Sequence, residues 1–166
     1  HMKFNFLIIA VAAIVPLFMG FIWYNPKVFG SSWMKECNFT LETMEKPNPI
    51  VFLYCYILSY LMAFILGTFV IHQFGFFSVL MNDPNLMVEG SELNLYAADF
   101  MEKYGNNFRT FKHGALHGTL IGMLLVLPIF GTNAIFEKRS FKYVMINAGY
   151  WIVSLALMGG ILCQFA

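Results

Sequence analysis

Charge is what this chain has least of. Only 11 % of its 166 residues are Asp, Glu, Lys or Arg, against about a quarter in an average soluble domain. The four longest apolar runs, Phe4–Trp23, Ile50–Ile71, Gly114–Phe136 and Tyr143–Cys163, contain none of these four residue types. Their absence removes the buried carboxylate through which an ordinary acid-coupled transporter handles its ion. The basic residues are scattered and the net charge is +1, which excludes a nucleic-acid surface built on clustered Lys and Arg. Cysteine is scarce as well. Cys37, Cys55 and Cys163 are odd in number and form no CxxC pair, so neither a disulfide framework nor a zinc knuckle is expected, and the three read as small apolar packers. No Ser–His–Asp set and no phosphate-cradling glycine loop occurs.

What the chain has instead is hydrophobic length. Crossing a bilayer takes about 20 apolar residues at 1.5 Å rise each, and each of the four runs meets that requirement. They predict an all-α membrane protein, a four-transmembrane-helix bundle with short interfacial helices in the first and second connections. The whole chain, 1–166, reads as one integral membrane domain with spans at approximately 4–23, 50–71, 111–136 and 143–163. His1-Met2 looks like a cloning remnant. The first run reads as a retained helix, because bulky Phe21, Trp23 and Tyr24 stand where a signal peptidase needs small side chains.

The interruptions are informative. Pro16 and Pro128 lie within the first and third spans, where a missing donor and a ring clash bend a helix. Trp23, Tyr24, Trp33 and Trp151 are candidate anchors at headgroup depth. Ser31 or Ser32 is the expected cap of a short interfacial helix carrying Trp33, Thr40–Lys46 forms a further helical turn, and Asn48-Pro49 opens the second span. That span is expected to continue past Ile71, since residues 72–81 remain apolar and aromatic. Across 91–105, Leu93, Tyr96, Ala97, Phe100, Met101 and Tyr104 recur at helical spacing, which predicts an amphipathic surface helix. Lys27, Lys35, Lys46, Lys138, Arg139 and Lys142 flank one side of the membrane, and Lys3, Lys103, Arg109 and Lys112 the other. The basic 137–142 turn is therefore assigned to the cytoplasm, with the termini and the long second connection outside.

Polar groups with chemical potential are few. His113 and His117 are four residues apart and share a helix face, the spacing by which one helix offers two imidazoles to an ion. His72 closes the second span on the same side of the membrane, and Asp99 and Glu102 on the surface helix are candidates to lie above the three histidines. These five form the candidate polar site, but two histidines on one helix do not by themselves make a metal site. No catalytic residue and no cofactor is assigned. Gly114, Gly118 and Gly122 form a GxxxGxxxG ladder for close helix packing, within the chain or with a second copy in a homo-oligomer. Asn133 and Asn147 flank the basic turn at similar depth and are expected to bond to each other or to backbone.

Taken in order, Trp23-Tyr24-Asn25-Pro26, Phe29-Gly30, Trp33-Met34-Lys35, Gly114-Ala115-Leu116-His117-Gly118, Phe136-Glu137-Lys138-Arg139-Ser140 and Asn147-Ala148-Gly149-Tyr150-Trp151 resemble the motifs of the domain-of-unknown-function 1761 family. The resemblance implies a small bacterial four-span membrane protein of the inner (plasma) membrane. It supplies no catalytic residue. With membrane lipids as its surroundings and no nucleic-acid partner, the chain is expected to bind or pass a small solute, ion or lipid without catalysis. The alternatives are a structural or assembly subunit acting through helix packing, and a membrane enzyme using a histidine-bound metal or haem.

Overall fold

Among the described residues four helices are long and apolar enough to cross a bilayer: Phe6–Trp23, Pro49–Val70, Phe111–Phe136 and Phe141–Phe165. The computed structural model describes residues 4–40, 42–43 and 47–166. His1-Met2, Lys3 and, in the turn expected over Thr40–Lys46, residues 41 and 44–46 lie outside the described residues; Thr40 and Thr43 bond to each other. No strand occurs among the described residues.

The first span is two helices, α1 (Phe6–Ala12) and α2 (Val15–Trp23), broken as the proline predicts. Near Pro16 the backbone tightens, so that Ile14 N–H bonds to Val11 O and leaves Ala10 O without its usual partner. In hydrocarbon an orphan carbonyl must be satisfied from inside the protein. The Tyr56 hydroxyl, from the second span, donates to Ala10 O at 3.1 Å, and the Tyr150 hydroxyl, from the fourth, donates to Pro16 O at 2.7 Å. The third span handles Pro128 differently. Between α7 (Phe111–Ile121) and α8 (Leu127–Phe136) the helix widens into a π-turn over Gly122–Val126, and Leu127 N–H reaches back five residues to Gly122 O. A wider turn makes room for the proline ring without ending the helix.

After α2, Pro26–Gly30 forms a second π-turn leading into α3 (Ser31–Glu36). Ser31 does not cap α3 but begins it, donating its hydroxyl to Pro26 O at 2.8 Å. Asn48 caps α4 (Pro49–Val70) by accepting from Ile50 N–H. The second span does not continue as one helix. Ile71 is extended (φ −105°, ψ 95°), and α5 (Gln73–Leu80) sets off in a new direction. The surface helix is α6 (Glu92–Tyr104), capped by Ser91. The last helix, α9 (Phe141–Phe165), starts at Ser140, whose hydroxyl also meets Glu36 and so brings the first and third connections together.

α9 is the axis of the bundle. Of its apolar window 56 % is buried, against 11 % for the third span. The core is made of small and flexible residues, Ala12, Ala13, Ala63, Leu66, Leu155, Met158 and Leu162, from α1, α4 and α9. Outside it, Leu7, Phe18, Leu58, Leu124 and Phe136 are each at least 64 % exposed. A belt of apolar side chains on all sides is the surface a bilayer requires and water does not tolerate.

Candidate functional site

The glycine ladder fixes the position of everything else on α7. A Cβ at Gly118 would lie 2.9 Å from Ala156 Cα, and one at Gly122 would lie 2.7 Å from Ile152 Cα. Gly114 rests against the Gly159 carbonyl in the same way. The ladder is therefore used within the chain, against α9, and a homo-oligomer would need another face. Each histidine immediately precedes a ladder glycine, so the His113/His117 stripe is rotated by about 100° from the α9 contact. Thr110 starts α7 by accepting from His113 N–H at 3.3 Å.

The break at Ile71 turns His72 toward that stripe. His72 Nε2 lies 2.8 Å from His113 Nε2, a hydrogen bond in which one ring donates and the other offers a lone pair. Ring centroids are 4.9 Å apart for His72 and His113, 4.9 Å for His72 and His117, and 4.6 Å for His113 and His117. One ligand nitrogen from each ring falls within 4.8 Å of the other two. His72 is exposed, while His113 and His117 are half-buried.

Phe108 lies against two of the three histidines. Its backbone is left-handed (φ 61°), a conformation costly for a bulky residue, and its ring lies 4.9 Å from His113 and 6.2 Å from His72. Gln73 holds the same loop, its Nε2 donating to Gly105 O and Asn107 O at 3.0 Å each. The acids are elsewhere. Asp99 pairs with Lys103 one turn along α6, and neither Asp99 nor exposed Glu102 belongs to the histidine cluster.

The model of the DUF1761 family, described as "Protein of unknown function", matches residues 7–163. The chain belongs to the DUF1761 family. No curated protein and no solved structure matches it.

The remaining sequence candidates in this DUF1761 chain serve packing. Asn147 does not pair with Asn133. Its Oδ1 accepts from the Tyr24 hydroxyl at 2.9 Å and its Nδ2 donates to Tyr143 O at 2.8 Å, whereas Asn133 is exposed. The reason is rotational: Asn147 faces the first span, not the neighbouring hairpin arm. Trp23 and Tyr24, expected as lipid anchors, turn inward, with Trp23 Nε1 donating to Ile146 O at 3.0 Å and its indole lying over Gly149. Trp33 meets the Tyr24 ring edge-on at 5.3 Å, and Trp151 meets Tyr150 in the same way at 4.9 Å. Sequence reading missed Arg109 as more than a flank charge. Its Nε donates to Cys163 O at 2.7 Å and its Nη2 to Ala166 O, closing the end of α9. Cys163 shares its S–H between Val70 O and Phe108 O, so it joins the ends of α4, α9 and the loop over the histidines.

Proposed function

We propose that this chain is a multi-pass membrane protein that binds a first-row divalent transition-metal ion through His72, His113 and His117. The observation that carries the reading is the mutual approach of three imidazole nitrogens within 4.8 Å, two from α7 and one from the break between α4 and α5. Imidazole suits zinc, copper and nickel, and three such ligands leave a fourth position open to water or a small solute. A tetrahedral ion about 2.0–2.1 Å from each nitrogen would hold them about 3.3 Å apart. The 2.8 Å contact of His72 and His113 would then open by roughly half an ångström, within reach of small ring rotations. Centroid separations below 5 Å favour one shared ion over the two axial ligands of a haem, which stand on opposite faces of a macrocycle.

The basic turn, with Lys138, Arg139 and Lys142, supports an orientation in which that turn is cytoplasmic and the histidines lie at the outer boundary of a bacterial plasma membrane. The reading is one of binding, without an assigned reaction. Titration calorimetry with zinc and nickel, on chelator-stripped protein in nanodiscs, tests it. One ion should bind per chain, and His113→Ala and His117→Ala should each weaken binding by at least about tenfold. Equal binding by wild type and both variants would overturn the proposal.

A further inference from the structure

An ion held by His72, His113 and His117 receives no negative charge from the chain. Imidazoles bind a metal in their neutral form, and no carboxylate or thiolate joins the three among the described residues. Where a glutamate or a cysteine completes a ligand set, it cancels one unit of the ion's charge. Here a divalent ion would keep its full double charge.

The surroundings add to that excess. His113 lies in the first turn of α7, where a helix carries its partial positive charge. Lys112, beside it in that turn, is exposed and pairs with no Asp or Glu among the described residues. Two acids of the second connection are engaged elsewhere, Asp99 by Lys103 at 2.8 Å and Asp83 by the Asn85 N–H at 2.9 Å. Both α4 and α7 belong to apolar spans, so on the bilayer side the field of the ion is screened far less than in water. Access lies on the other side, since His72 is exposed and borders an open cavity.

Three imidazoles leave a divalent ion one further position in a tetrahedral set. We propose that this fourth position is an anion site: once loaded, the trio takes up one small monovalent anion of the halide or azide class by simple ligand exchange. The inference rests on the metal-binding reading and names the ligand that completes it. The histidines alone hold no such anion, so its uptake depends strictly on the ion. The coupling is reciprocal, and the anion tightens the ion by the same factor by which the ion recruits the anion.

Cobalt absorption reads the fourth position directly, because the visible bands of Co(II) change with its ligands. Chelator-stripped protein in phosphatidylcholine nanodiscs is loaded with one equivalent of Co(II) and titrated with sodium azide. Sodium perchlorate, a poorly coordinating salt, holds the ionic strength constant, and cobalt with azide in protein-free nanodiscs is the blank. Azide should change the bands saturably, at one site per chain. Calorimetry should find cobalt bound about fivefold or more tightly in azide than in perchlorate. One cobalt per chain with bands that azide leaves unchanged, or with equal affinity in the two salts, would overturn the anion site and leave the metal reading standing. Failure of cobalt, zinc and nickel alike to bind would end both.

Discussion

The Tyr24 hydroxyl donates to Asn147 Oδ1 at 2.9 Å, joining residues 123 positions apart at the end of the first span and the early turns of α9. One residue away, Trp23 Nε1 bonds to Ile146 O, so two consecutive side chains close the same junction. Tyr24→Phe removes the donor and leaves a partly buried amide oxygen unpaired. We expect a loss of about 1 kcal/mol, near the membrane average of roughly 0.6 but raised by the orphaned acceptor. Reversible unfolding in mixed micelles measures it, and no change would mean that Asn147 finds water instead.

The same hydroxyl should make the protein sensitive to alkali. Burial, followed by the nearby Tyr150 and Tyr143, raises the Tyr24 pKa above its ordinary value of 10.0. In the unfolded chain this proton leaves first, so the contribution is complete below pH 10 and declines as pH rises through the higher folded value. Melting temperature should therefore fall above about pH 10, and Tyr24→Phe should make that fall shallower.

Two glycine substitutions should separate packing from helix propensity. A methyl at Gly118 meets the α9 backbone, whereas at Gly131 nothing lies within 4 Å. Gly118→Ala should lose about 1–3 kcal/mol and weaken metal binding, because it shifts the helix that carries His113 and His117. Gly131→Ala should be neutral or stabilising by up to about 1 kcal/mol. Thermal unfolding and nickel titration of the pair provide the comparison.

Metal affinity should depend on acidity, since an imidazole gives up its proton to bind an ion. Zinc binding at about pH 5.5 should be at least tenfold weaker than at about pH 7.5. Chelator treatment should leave the helical content unchanged, because the core around Ala12, Ala63 and Met158 takes no part in the site. Circular dichroism before and after chelation checks the second half of the statement.

Arg109 should be more sensitive than a flank charge. Arg109→Lys keeps the cation but cannot reproduce the fork that reaches Cys163 O and Ala166 O together. Hydrogen exchange at the end of α9 and in the loop before α7 should accelerate, corresponding to about 1–2 kcal/mol of local stability. Exchange confined to the wild-type rate would contradict the clamp.

The four spans were legible because bilayer thickness sets a length that apolar runs either meet or miss. The capping of α4 by Asn48 and of α6 by Ser91 was legible too, since a cap is a local interaction within three residues. The approach of His72 to His113 was not, because it depends on the backbone of Ile71, and nothing about isoleucine announces an extended residue between two helices. Asn147, expected to bond to Asn133 or to backbone, bonds to backbone at Tyr143 O and also to the Tyr24 hydroxyl, and the choice was not legible for a related reason. Sequence places it at the depth of Asn133, but depth says nothing about which way round the helix a side chain points, and that direction is set by the close contact of Gly114 and Gly118 with α9. The acids of α6 show the same limit: Asp99 is satisfied by Lys103, a neighbour within its own helix, and has no need of the histidines.

Proline usually counts as a weakness in a membrane helix. In the first span the break before Pro16 exposes Ala10 O, and the two tyrosines that reach the carbonyls of Ala10 and Pro16 come from different neighbours, α4 and α9. The interruption thus works as a pair of sockets. Healing it with Pro16→Ala would restore the ordinary ladder, occupy the Ala10 carbonyl and displace Tyr56. The straighter helix would be more regular and less firmly attached: the second span would lose its tie to the first, while the fourth would keep its own at the carbonyl of residue 16.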